Sequence, residues 1–91
     1  METNVMVGTF TAYTNKMTTE QLNVFSQATK GLEGVDYTPL AVSTQLVSGT
    51  NYRFFCNSKG VYPNSLNEGA IVTIYQPLQG QPHVTSIHRC Q

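Results

Sequence analysis

Charge is scarce in this chain. Charged residues make up 11% of its 91 positions, with five Lys+Arg against five Asp+Glu, where an average globular chain carries roughly 25%. Sparse, balanced charge argues against a nucleic-acid reader and against a polybasic membrane binder, both of which need a basic patch. Tryptophan is absent, and the only cysteines are Cys56 and Cys90. One bridge at most can form, which excludes a disulfide scaffold. No apolar run approaches the roughly 20 residues needed to cross a bilayer. The opening Met1-Glu2-Thr3-Asn4 has neither the basic region nor the apolar stretch of a signal peptide. A native Met1 therefore points to the cytoplasm, whereas a removed signal would make the protein secreted or periplasmic.

The chain does carry a 40% apolar fraction, with four Phe, five Tyr and twelve Thr spread along its length. These residues can bury surface and favour strands, which argues against intrinsic disorder. The length suits one domain over residues 1–91 with one small core. Thr, Asn, Gln and Ser must carry the surface, and a net charge of zero predicts weak resistance to self-association.

Thr18 with Gln21 reads as a capping box, Met17 and Leu22 are placed as a hydrophobic staple, and Gly31 stands where a left-handed C-terminal residue belongs. The spacing predicts one helix, Thr19 to Lys30, with Leu22, Phe25, Ala28 and Leu32 on the buried face and Val24 beside them. Downstream, β-forming segments alternate with Gly, Pro and Asn. They predict strands at Tyr37 to Val47, Thr50 to Asn57, Ala70 to Gln76 and Val84 to Cys90, and a weaker strand at Thr9 to Tyr13 precedes the helix. The stretch from Ser58 to Gly69 reads as a loop. Short connections at Ser48-Gly49 and Pro77 to Pro82 require antiparallel neighbours. The expected class is α+β, one helix across a twisted antiparallel sheet in the order β-α-β-β-β-β.

Nothing in this layout assembles a catalytic centre. Glu2, Glu20, Glu33, Asp36 and Glu68 fall on the tail, the helix, its exit turn and a loop, with no pair set for acid–base work. His83 and His88 are an odd number apart on the last strand, so they point to opposite faces and cannot jointly hold a metal. Cys56 sits between Phe55 and Asn57 with only Arg53 as nearby charge, which fits a core thiol better than a nucleophile. Gly31 and Gly34 flank a helix end and do not form a phosphate-binding loop.

Gln45-Leu46-Val47-Ser48-Gly49-Thr50-Asn51-Tyr52 puts apolar side chains at a hairpin tip, where Leu46 and Val47 would be exposed and in want of a partner. The same residues also fit an ordinary strand end at which Gly49 supplies the positive φ of a turn. QLVSG followed by TNY resembles the Gln-x-Val-x-Gly first-hairpin signature of the cystatins, in particular the small, disulfide-free stefins. Met6-Val7-Gly8 is similar to the N-terminal trunk of that family, and Ile74-Tyr75-Gln76-Pro77-Leu78 resembles its strand entering the second hairpin. The predicted element order is also that of the family.

The resemblance implies a cystatin-like fold and reversible, competitive inhibition of papain-like, cathepsin-like cysteine proteases. In that mechanism the trunk and two hairpin loops form a wedge that plugs the active-site cleft. By position, Gly8 would be the trunk pivot, Gln45, Leu46, Val47, Ser48 and Gly49 the first loop, and Pro77, Leu78 and Gln79 part of the second. No catalytic residue, cofactor or metal is implied, and no nucleic-acid or membrane partner. Val47 and Leu78 would bury apolar area in the cleft, each contributing roughly 1.5 to 3 kcal/mol at best.

Relatives carry Pro-Trp or Leu-Pro where this chain has Pro77-Leu78-Gln79. That difference supports an alternative, a cystatin-like binding or assembly module with a non-protease partner. A β-rich chain of zero net charge also admits a monomer that exchanges its first hairpin to form a domain-swapped dimer. In the predicted meander, Cys56 and Cys90 lie two strands apart, roughly 9 to 10 Å at about 4.8 Å per step. That exceeds the reach of a disulfide, so two free thiols are expected.

Overall fold

Thr18 starts the only helix among the described residues. The structure is a computed structural model and describes residues 8–90. Thr18 has extended backbone (φ −77°, ψ 162°). The Gln21 amide donates to its hydroxyl at 3.1 Å, and its own amide donates to the Gln21 side-chain oxygen at 2.9 Å. Two donors that an uncapped helix would leave unpaired are thereby satisfied. Helix α1 runs Thr19–Thr29. It ends differently from the sequence expectation: Lys30 keeps right-handed helical angles, its amide bonds back to the Gln27 carbonyl, and the Leu32 amide bonds to the Thr29 carbonyl. The last turn closes by three-residue bonds, Gly31 stays out of the left-handed region, and Gly34 (φ +89°) makes the sharp turn into the sheet.

The buried face of α1 also sits a fraction of a turn from the expected stripe. Val24 and Phe25 are buried and Ala28 and Met17 pack against the core, while Leu22 and Leu32 remain over a third exposed. The sheet chooses which part of an amphipathic cylinder it covers, and here it takes the side centred on Val24 and Phe25.

Four strands follow, β1 (Val35–Val47), β2 (Gly49–Gly60), β3 (Asn67–Gln76) and β4 (His83–Arg89), forming one antiparallel sheet in that order. Alternate residues of the central strands face the helix: Tyr52, Phe54 and Cys56 on β2, and Ala70, Val72 and Ile74 on β3 are all buried. This is the period-2 pattern of a sheet covered on one face. Phe54 is the centre of the core, with the Phe25 ring edge-on at 4.9 Å and the Tyr52 ring stacked at 5.8 Å.

Three sequence expectations need correction. The Thr9 to Tyr13 segment forms no regular strand. Its neighbourhood touches the free edge of β1 at shifting register, with the Gly8 amide on Leu46, the Thr11 amide on Thr44 and an isolated bridge between Thr14 and Val42. The sheet therefore has four strands where five were expected. The Ser58 to Gly69 loop is also much shorter than expected: Ser58 pairs with Glu68 and Lys59 with Asn67, leaving 61–66 as the connection. Polar residues extend the ladder there, aided by a 2.9 Å side-chain bond from Asn57 to Asn67. Finally, the β3–β4 register shifts between Thr73 and Ile74, leaving Thr85 as an extra residue on β4. That bulge cancels the odd spacing, so His83 (opposite Tyr75) and His88 (opposite Ile71) share a face. Four residue steps along β3 separate their positions, about 13 Å, too far to share one ion.

A second bulge leaves Leu40 unpaired between the Pro39–Cys56 and Ala41–Phe55 pairs. Pro39 lies on β1, whose outer side carries no regular ladder, so its missing donor costs little. Among the described residues no helix is long and apolar enough to cross a membrane, and no group of three or more His, Cys, Asp or Glu could hold a metal ion.

The two thiols are free, Cys56 buried and Cys90 exposed, as their separation across β3 predicts. Burial pushes the Cys56 thiol up from 9.0 to about 12. Between these values the unfolded chain loses the proton that the native chain keeps, so the contribution of Cys56 to stability is intact below pH 9 and declines as pH rises toward 12. Burial raises Tyr52 as well, with the same sign. Denaturant unfolding should show stability falling above about pH 9, and Cys56→Ala should flatten the decline while lowering stability at neutral pH. A thiol reagent should modify Cys90 in the native protein and both thiols after unfolding. Equal rates at the two thiols in the native protein would contradict this burial.

Candidate functional site

The β1–β2 hairpin turns at its far end within very few residues, because Val47 already pairs with Gly49 and only Ser48 lies between. Gly49 makes the turn with φ +102°. Its position also leaves no room for a side chain: a Cβ there would fall on the Gln76 carbonyl oxygen and lie 3.1 Å from the Pro77 Cα. The absence of a side chain thus lets the first hairpin tip close against the entrance of the second. The Tyr75 hydroxyl ties them further by donating to the Ser48 carbonyl.

The second connection, Pro77 to Pro82, is organised from inside by Gln76. Its side-chain amide donates to the carbonyls of Pro77 and Gly80, each at 3.0 Å. Gly80 takes φ +120°, and buried Pro82 leads the chain into β4. Leu78 is thrown outward, 78% exposed.

On the other side of the tip, the Gly8 amide donates to the Leu46 carbonyl at 3.2 Å, and the Gln45 side-chain amide donates to the Gly8 carbonyl at 3.0 Å. The Asn51 side chain, opposite Gln45 on β2, donates to the Gln45 oxygen at 2.9 Å. Gln45 is therefore a bracket that fixes the N-terminal segment to the first hairpin. Gly8, Leu46, Thr50 and Gln76 stand abreast across this end of the sheet. Three inter-strand steps of about 4.8 Å make that row roughly 14 Å wide.

All nine residues singled out in the sequence, Gly8, Gln45, Leu46, Val47, Ser48, Gly49, Pro77, Leu78 and Gln79, thus gather at one edge. Their exposures sort them. Leu46 is 71% exposed and Ser48 and Gln79 are open, whereas Val47 and Pro77 are half-buried and Gly49 is buried. The exposed apolar pair is Leu46 and Leu78; the sequence expected Leu46 and Val47 both to be exposed, and Val47 is instead half-buried. Val47 lies on the sheet face away from the helix, beside the Gly49 backbone. Met6 and Val7 of the expected trunk lie outside the described residues.

Neither Gln45 to Asn51 nor Gln76 to Pro82 contains a charged residue. Such an edge can offer shape, apolar contact and backbone hydrogen bonds, and His83, which follows Pro82, lies with its ring 5.8 Å from that of Tyr75. Asn51, Tyr75 and Gln76 are supporting residues to which the sequence reading gave no role. Register sets Asn51 opposite Gln45 and brings the Tyr75 hydroxyl to Ser48, and the fold of the second loop brings its carbonyls to Gln76.

Further along the N-terminal segment, the Ser43 hydroxyl, 2% exposed as a residue, donates to the Thr11 carbonyl at 2.5 Å. The Arg53 guanidinium lies 3.6 Å from the centre of the Phe10 ring. Burial raises the neighbouring Tyr13 phenol, and the Arg53 cation opposes only part of that rise. No protein-family model, curated protein or solved structure matches this chain.

Proposed function

We propose that this protein is a reversible, competitive inhibitor of papain-like cysteine proteases that acts by occupying the cleft, without catalysis of its own. The observation that carries the reading is the shared edge: Gly8, the Ser48 tip and the Pro77 to Pro82 loop stand side by side, with Leu46 and Leu78 exposed. A narrow, uncharged, braced edge with two apolar projections suits insertion into a groove that binds extended peptides. Bracing by Gln45, Tyr75 and Gln76 lowers the entropy that ordering would otherwise cost on binding. The QLVSG resemblance supplies the protease class. The alternative, a cystatin-like module with a non-protease partner, is motivated by the Leu78 loop and would use the same edge.

The test is steady-state inhibition of papain and of a cathepsin-L-like enzyme with a fluorogenic peptide. Competitive inhibition that reverses on dilution is expected; no inhibition at tens of micromolar by the folded protein would overturn the reading. Val47→Asp, which puts a carboxylate beside the Gly49 turn, and deletion through Gly8 should each weaken inhibition at least tenfold, about 1.4 kcal/mol. Full inhibition by both variants would remove the wedge as its mechanism.

A further inference from the structure

We infer that Arg53 is a positioning residue for the N-terminal segment, holding residues 8–14 as a strap on the edge of β1 and so fixing where Gly8 enters the binding edge. Arg53 lies opposite Ser43 on β2, three residues along β1 from Leu46, the partner of Gly8. Its Cα is about 10 Å from that row, outside the exposed tips.

The strap needs such a clamp because its backbone pairing is broken. The pairs Gly8–Leu46, Thr11–Thr44 and Thr14–Val42 follow three different registers, so no continuous ladder forms. An interrupted strand of this kind opens more easily than the strands beside it. Side chains take over between the bonds. The Thr44 amide donates to the Thr11 hydroxyl at 3.0 Å, Ser43 holds the Thr11 carbonyl, and the Arg53 guanidinium covers the Phe10 ring. Of these, only the Arg53–Phe10 contact anchors the stretch between Gly8 and Thr11 to β2, an interior strand of the sheet. It ties the strap across β1 to the core-bearing part of the sheet.

Hydrogen exchange reads this directly, because the amides of Gly8, Thr11 and Thr14 each donate to β1. Arg53→Met keeps the apolar stem and removes the cation, and Phe10→Leu keeps the bulk and removes the aromatic face. Each should speed exchange at these three amides about two- to fivefold, the size of one exposed cation–π contact. Phe54 and Val72 amides should keep their rates. Arg53→Lys and Phe10→Tyr, which retain cation and ring, should restore slow exchange. Unchanged strap amides, or strap and core amides rising together, would overturn the inference.

The inhibitory consequence rests on the function proposed above: dissociation of the protease complex should quicken by a similar factor in Arg53→Met and Phe10→Leu. If the wild-type protein inhibits and these variants loosen the strap without changing dissociation, the positioning role is wrong. If the wild-type protein does not inhibit, the inhibitor reading falls, and the exchange pattern alone decides whether Arg53 holds Gly8.

Discussion

Gly49→Ala is expected to lower stability by about 3 kcal/mol and to weaken protease inhibition at least tenfold. Two effects add at this position. A φ of +102° is strained for any residue with a Cβ, and that Cβ would fall against the Gln76 carbonyl and the Pro77 Cα, backbone atoms that move only if β3 shifts. Relief would come by pushing the first tip away from the second loop, which also breaks the Tyr75 bond to Ser48. Stability and edge geometry therefore fail together. Gly31→Ala is the control: a Cβ there meets nothing within 4 Å, its backbone is not left-handed, and its stability should stay within about 0.5 kcal/mol of wild type. Equal midpoints for both variants in denaturant unfolding, at unchanged slope, would show that Gly49 is not the constraint described.

The contrast between these glycines shows what could be read from the sequence. Local chemistry was legible. The Thr18–Gln21 capping box fixes the helix start within a few residues of chain, and the Ser48-Gly49 and Pro77 to Pro82 turns announce themselves by composition. Both loops of the edge were therefore found from residues alone, and the antiparallel order of the four strands followed from their short connections. Features set by pairing between distant segments were not legible. Gly31 resembles a helix cap as well as Gly34 does, until the geometry of entry into β1 selects Gly34 for the positive φ. Ser58 and Asn67 look like loop residues because their polarity is judged alone, yet register with a strong neighbour carries them into the ladder. The bulge at Thr85 reverses the relation between His83 and His88, and no residue type at that position signals it. Position at a tip predicts exposure for both Leu46 and Val47; Leu46 is exposed, whereas Val47, on the other sheet face and one residue from the turn, is half-buried.

The exposed pair Leu46 and Leu78 gives the sharpest test of the edge. The double variant Leu46→Thr/Leu78→Ser should weaken protease inhibition at least a hundredfold, since fully burying one such side chain contributes roughly 1.5 to 3 kcal/mol. Its stability should change by less than about 1 kcal/mol, because Leu46 and Leu78 are 71% and 78% exposed and bury little in the free protein. Threonine suits the strand position of Leu46, and Leu78 lies in a connection whose shape is set by Gln76 and Gly80. Affinity and stability are thus separated in one molecule, as they are not at Gly49. Inhibition constants and unfolding midpoints measured on the same preparation decide the matter. Wild-type inhibition by the double variant would mean that the two projections never enter the cleft. A non-protease partner bound by the wild-type chain and lost in this variant would keep the edge as the site and change only what it grips.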